Sequence, residues 1–174
     1  MIILVLPSEK YLKSYQEAYD EYVKNNVSTY AFNNPSACDV LAKYERYRNE
    51  INLPENRVGQ TNYWLVDVER DYFIGEIGIR HKLNDALLKR GGHIGYGVRY
   101  SEWNKGYGTR MLKMALEIAK EMNISRVLIT CNDDNIASAR VMEKNGFVLE
   151  DKVLVYSEED GKEILTRRYW KTIL

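Results

Sequence analysis

The stretch Gly92–Met122, GHIGYGVRYSEWNKGYGTRMLKMALEIAKEM, restricts the possible folds more than any other part of this sequence. Its first part, His93–Arg99, alternates Ile94, Tyr96 and Val98 against Gly95 and Gly97, the period-two pattern of a strand. Its last part places Met111, Leu112, Ala115, Ile118, Ala119 and Met122 at helical spacing, with Lys113, Glu117, Lys120 and Glu121 on other faces. A glycine-bearing turn, Ser101–Thr109, joins the two. Such a turn presents backbone N–H groups without intrahelical partners at a helix N-terminus, where the helix dipole favours negative charge. It is a phosphate seat. Side chains at Gly106 or Gly108 would hold a diphosphate away from those donors.

Spacing separates the folds that use this device. A P-loop needs four residues between its glycines followed by Gly-Lys-Ser/Thr, and no such run exists. The dinucleotide fingerprint needs a third glycine three residues after Gly-x-Gly. Gly95-Tyr96-Gly97 is followed by Val98, Arg99 and Tyr100, and Gly106-Tyr107-Gly108 by Thr109, Arg110 and Met111, so both fail.

Trp103-Asn104-Lys105-Gly106-Tyr107-Gly108 resembles the acyl-CoA motif of the GNAT N-acetyltransferase superfamily, Arg/Gln-x-x-Gly-x-Gly/Ala, with Trp103 at its first position. That variant is similar to the branch of ribosomal-protein and N-terminal amine acetyltransferases. Asn135-Ile136-Ala137-Ser138 and Lys144-Asn145-Gly146-Phe147 resemble the superfamily's second motif helix. The resemblance runs from about Tyr63 to Trp170 and is weak before that. It implies an α/β (α+β) fold in one domain spanning residues 1–174: a mixed, mostly antiparallel twisted sheet of about seven strands, splayed between the fourth and fifth, flanked by about four helices.

The rest of the chain fits that frame. Met1–Leu6 reads as a first strand without a basic leader, so no signal peptide is expected. Ser8 is placed to cap a helix over about Glu9–Lys24, with Tyr11, Tyr15, Tyr19 and Tyr22 on one stripe. The stripe either faces the core or walls the acceptor pocket. A second helix is expected over Ala37–Asn49 with Ser36 as cap, then a turn-rich loop to Gln60. Tyr63–Val68, Tyr72–Arg80 and His93–Arg99 read as an antiparallel meander, with Lys82–Gly92 a connection. Arg126–Cys131 is apolar throughout, which predicts a strand buried on both faces and parallel to its neighbour. Phe147–Tyr156 and Glu163–Trp170 pair across Glu158–Gly161.

The chemistry implied by the resemblance is acetyl transfer from acetyl-CoA, the cosubstrate, to a primary amine by direct attack. Diphosphate binding falls to the amides of Asn104–Thr109, with the Thr109 hydroxyl and Lys105 beside them; Trp103, Tyr107, Asn135 and Ser138 complete the cofactor side. Pantetheine pairs with the backbone of Tyr96, Gly97, Val98 and Arg99, and an N–H near Val98 polarises the thioester carbonyl. Arg99 serves either the phosphates or the surface. Neutralising a lysine-like amine of pKa about 10.4 at pH 7 costs roughly 4 to 5 kcal/mol, and Glu76, between Gly75 and Gly78, is the candidate base. The position where many members carry an acidic tyrosine holds Met142, so Ser138 is the substitute proton donor.

With 25 basic and 25 acidic side chains in 174 residues, the chain has no excess cation to neutralise nucleic-acid phosphates. Two distant cysteines, Cys38 and Cys131, point to a reduced, cytoplasmic setting, with Cys131 a core residue; His81 and His93 alone make a metal site improbable. The expected partner is a small-molecule or peptide amine, without membrane or nucleic acid; the oligomeric state is open, with a homodimer through edge strands, which often pair in this architecture, as one alternative. The alternative is an acyl-CoA-binding sensor without turnover.

Overall fold

Alternating apolar residues in the first hundred positions build four strands: β1 (Ile2–Val5), β2 (Gln60–Asp67), β3 (Tyr72–Arg80) and β4 (Ile94–Val98). They form an antiparallel sheet in the order β1-β2-β3-β4. The computed structural model describes residues 1–28, 31–158 and 160–174. A second antiparallel sheet, in the order β5-β7-β6, holds β5 (Arg126–Asn132), β6 (Val148–Ser157) and β7 (Lys162–Thr172). The turn between β6 and β7 includes Glu159, which lies outside the described residues.

The two sheets part between β4 and β5, as expected, but the mixed pairing is not found. Every ladder among the described residues is antiparallel, and β5 pairs with β7 rather than lying parallel to β4. Toward β4 it makes one isolated bridge, Gly92 to Ile129. Beside that bridge the His93 N–H donates to the Leu128 carbonyl (2.7 Å), and the Leu128 N–H donates to His93 Nδ1 (3.0 Å). Gly92 is required here: its φ is +64°, and a Cβ would collide with the Leu128 backbone. Burial, with Arg80 nearby, pushes His93 down to about 4, which keeps Nδ1 an acceptor. The strands thus meet at one end and diverge toward Val98.

Among the described residues five α-helices cover the sheets, one more than expected: α1 (Glu9–Lys24), α2 (Val40–Arg48), α3 (Asp85–Lys89), α4 (Tyr107–Glu121) and α5 (Ile136–Lys144). The additional one, α3, occupies the expected connection and is capped by Asn84 Oδ1 accepting from the Leu87 N–H. Helix α2 starts three residues later than expected because Asp39, not Ser36, caps it through the Ala42 N–H. Ser8 precedes α1 without a side-chain cap bond.

Each face of the first sheet carries its own core. Leu65, Ile74, Ile77, Ile79 and Ile94 pack on Met111, Leu112, Ala115 and Ala119 of α4, with Met142 of α5 fully buried among them. On the other face Trp64, Val66 and Phe73 meet Tyr11, Tyr15 and Tyr22 of α1 and Tyr44 of α2. Tyr15 stacks on Trp64 with centroids 4.7 Å apart. The tyrosine stripe is therefore chiefly core, with Tyr19 half-buried at its margin.

Arg99 sits in neither of its expected places. Its guanidinium is buried, donating from Nε to Glu21 (2.6 Å) and from Nη1 to Ser14 Oγ (3.1 Å), and it lies over the Tyr72 ring. It fastens α1 to the end of β4. Arg99→Met should lower unfolding stability by about 3 kcal/mol in urea titration, the low end for a broken buried pair because Glu21 keeps some solvent access. A loss below about 0.5 kcal/mol, the range of neutral surface changes, would show that α1 is held by its aromatic face alone.

Candidate active site

Strand β4 has a free edge because of the splay. The Arg80 N–H donates to the His93 carbonyl (2.7 Å) and the Arg99 N–H to the Ile74 carbonyl (2.8 Å). With Glu76 opposite Gly97 and Gly78 opposite Gly95, ladder parity points the backbone groups of Ile94, Tyr96 and Val98 away from β3. They face the gap. The Val98 carbonyl is already taken, accepting from Tyr22 Oη (2.6 Å) and Trp103 Nε1 (2.8 Å). What remains at Val98 is its N–H, while Tyr96 offers both its backbone groups. The Gly97 and Arg99 backbones belong to the β3 ladder.

A cleft of about 890 Å³ runs along this edge. One end is the N-terminus of α4, where Asn104 and Gly106 both have positive φ (62° and 80°). Gly106 is the N-cap and supplies no side-chain acceptor, so the N–H groups of the first turn keep their outward donors. A Cβ at Gly106 would meet nothing within 4 Å, so the space above it is open. Gly108 also faces α5: a Cβ there would press on Val141 at 3.3 Å. Asn104, Tyr107 and Thr109 line the cleft with them, and so does half-exposed Trp103. Lys105 is not part of the lining and pairs with Glu102 at 3.0 Å. Arg140 and Lys144 of α5 do line it. Sequence reasoning missed them, although both stand in the second motif, four residues apart and so on one helix face.

The cleft's second wall is α5. Asn135 Oδ1 accepts from the Ser138 N–H (3.0 Å), so Asn135 caps the helix. Ser138 Oγ lies 2.9 Å from Tyr96 Oη, a pairing that joins a residue singled out for its hydroxyl to one chosen only for its backbone. Burial holds the Tyr96 phenol above its usual range, so it stays protonated. Met142 points into the core and has no access to the cleft. Cys131 is pushed up to about 11 by burial and is not a thiolate nucleophile.

At the other end the cleft crosses the face of the sheet. There Glu76 is buried, not open to water, and the space beside its glycines is partly filled: a Cβ at Gly75 would strike the Gly97 carbonyl and one at Gly78 would strike Gln60. Three side chains donate to the carboxylate. Asn62 Nδ2 reaches Oε1 (2.8 Å), Trp64 Nε1 reaches Oε2 (2.8 Å), and Tyr44 Oη lies 2.9 and 2.7 Å from the two oxygens. One tyrosine has one proton to give, so three protons meet about four lone-pair positions and one position stays available. Burial raises Glu76 to about 7, against the pull of its three donors and of Lys43. Tyr15 and Asn33 extend the network behind Tyr44.

Among the described residues no group of three or more His, Cys, Asp or Glu side chains could hold a metal, and no helix is long and apolar enough to cross a membrane.

The sequence is 43% identical over 54 residues to the uncharacterized N-acetyltransferase YnaD of Bacillus subtilis (strain 168), covering 30% of this chain and 32% of that protein. It is 27% identical over 111 residues to the uncharacterized N-acetyltransferase YjdG of the same organism, covering 63% of this chain and 65% of that one. The aligned regions thus span less than two thirds of either relative. In fold, the chain is similar to the microcin C7 self-immunity acetyltransferase MccE, solved in complex with acetyl-CoA and AMP: TM-score 0.75, 17% identity, 99% of this chain and 92% of that one. The profile of the Acetyltransferase (GNAT) domain matches residues 4–148, and the chain belongs to that family.

Proposed function

We propose that the protein is an acetyl-CoA-dependent N-acetyltransferase acting on a primary amine. The observation that carries this reading is the free edge of β4 opening onto a phosphate seat at one end and a near-neutral carboxylate at the other. The residues fit the cosubstrate. The amides of Gly106–Thr109 would hold its diphosphate, with Arg140 and Lys144 adding attraction, and the Tyr96 backbone would pair with the pantetheine amides. When bound, acetyl-CoA supplies an activated acetyl group on sulfur.

The Val98 N–H, free of the β3 ladder, would donate to the thioester oxygen as it gathers charge, and removing such a donor commonly costs a few kcal/mol of barrier. Glu76 accepts a proton from the incoming amine, directly or through one water at its remaining lone-pair position. The N–C bond forms as the C–S bond breaks. Ser138, backed by the Tyr96 hydroxyl, returns a proton to the departing sulfur. This assigns Ser138 and Tyr96 jointly the part that Met142 cannot play.

Activity should climb as pH rises through about 7, the value to which burial brings Glu76. Glu76→Gln should abolish that ascending limb and lower kcat/KM at pH 8 at least about 100-fold, the usual scale of a general base. Because the folded state raises this pKa from 4.5, Glu76 also stabilises the fold at low pH in a way that is lost as pH rises through 7. The Gln variant should flatten that fall in Tm. A pH limb that survives in Glu76→Gln would assign the base elsewhere.

Ser138→Ala should lower kcat about tenfold while leaving KM for acetyl-CoA within twofold. The effect is at the modest end for an acid because a thiol of pKa about 8.5 leaves readily. Unchanged kcat with raised KM would make Ser138 a pantetheine contact only.

A further inference from the structure

Arg80 is a cation in the cleft that no carboxylate among the described residues balances. It stands at the end of β3, four residues from Glu76 and on the same face, and it lines the cleft with Glu76, Gly78 and Gly95. Its Nη1 donates to the carbonyls of Gly91 (3.1 Å) and Gly92 (2.9 Å), which fixes the guanidinium across the start of β4. It forms no ion pair with any described carboxylate, and the charge that perturbs it most is another cation, Arg57. A guanidinium carries five N–H donors, so Nε and Nη2 keep unspent capacity. Taking such a cation out of water without a partner is costly, and the cost is recovered when an anion arrives.

The space around it is open. A Cβ at Gly95 would meet only Arg80 Nη2, at 4.0 Å, so the sheet face beside the guanidinium is bare. Gly95 is two residues along β4 from Gly97, the cross-strand partner of Glu76. At about 3.3 Å per residue this puts roughly 7 Å between the cation and the amine end of the cleft. Both ends of that interval lie on one face of the cleft, within reach of a single small acceptor. The diphosphate seat lies at the opposite side, at α4, so Arg80 is not needed there.

We propose that the acceptor is an amine that also carries an anionic group, a carboxylate or a phosphoryl group, held by Arg80 in a two-pronged contact while Glu76 faces its nitrogen. This rests on the transferase reading above and names the substrate class for the same site. Arg80 is then a specificity residue. A planar fork matches both oxyanions geometrically, which a lysine would not do equally well.

The test is a matched panel of acceptors: α- to γ-amino acids, aminoalkylphosphonates, and for each its neutral amide or plain alkylamine. Acceptor-dependent thiol release should favour the acidic members at least about 30-fold in kcat/KM, and the two acid classes read separately which oxyanion is preferred. Arg80→Gln should raise KM for the acidic members at least tenfold, leave the neutral ones and KM for acetyl-CoA within twofold, and so erase the preference. Because Arg80 also braces Gly91 and Gly92, Arg80→Lys serves as the second variant. It keeps the charge and should retain a reduced acid preference, with thermal unfolding and acetyl-CoA binding showing that both variants fold. Equal turnover of acidic and neutral amines or of neutral peptides, or a preference that persists in Arg80→Gln, overturns the proposal. Should no amine turn over, calorimetry of the panel on CoA-saturated protein decides. Acid-selective binding lost in Arg80→Gln upholds the anion site and counts against the transfer chemistry instead, whereas equal or absent binding overturns the site.

Discussion

The unpaired edge of β4 is the constraint on which the remaining structure depends. An internal strand of a sheet normally spends its backbone groups on two neighbours, and β4 spends them on one. A buried backbone group without a partner costs about 1 to 3 kcal/mol, so an edge of this kind inside a cleft favours an amide-bearing ligand. Two local features keep it open. Gly92 and His93 pin β4 to β5 at one end only, through a close approach that a side chain at 92 would forbid. At the other end Tyr22 and Trp103 occupy the Val98 carbonyl, leaving the N–H as the polar group on offer.

The Glu76 end of the cleft is built from the same strands by a different balance of forces. Glu76 is placed in a core of aromatic rings, where a carboxylate is expensive, and it is held there by Tyr44, Asn62 and Trp64. The result is a carboxyl poised near neutrality rather than a fixed anion. Helix α1 bears on both sides of the site: its tyrosines back the Glu76 network and reach Val98, and Arg99 locks the helix onto the end of β4. Packing in the N-terminal half therefore acts on the geometry of the cleft in the middle of the chain.

Much of this was legible in the sequence because it is local. The strand, turn and helix around Gly106 follow from periodicity and glycine placement, and about seven strands were expected where seven stand among the described residues. What periodicity did not carry is which polar groups meet across long separations. Arg99 was weighed for the phosphates or the surface, yet its partners on α1 come from some eighty residues away. Gly108 was read from its place in the turn alone, and its close approach to Val141 of α5 was not visible there. The hydroxyl pair of Tyr96 and Ser138, the hold of Arg80 on the Gly91 and Gly92 carbonyls and the antiparallel partner of β5 all belong to that non-local class. The helix α3 was overlooked because five residues are too few to show a helical period.

The account is tested most directly by a crystal structure of the protein soaked with acetyl-CoA. It predicts the diphosphate on the amides of Gly106–Thr109, pantetheine paired with the Tyr96 backbone, and the thioester oxygen about 2.9 Å from the Val98 N–H, an ordinary hydrogen-bond length. Acetyl-CoA bound away from this edge, or β4 and β5 closed into a continuous ladder that leaves it no room, would contradict it.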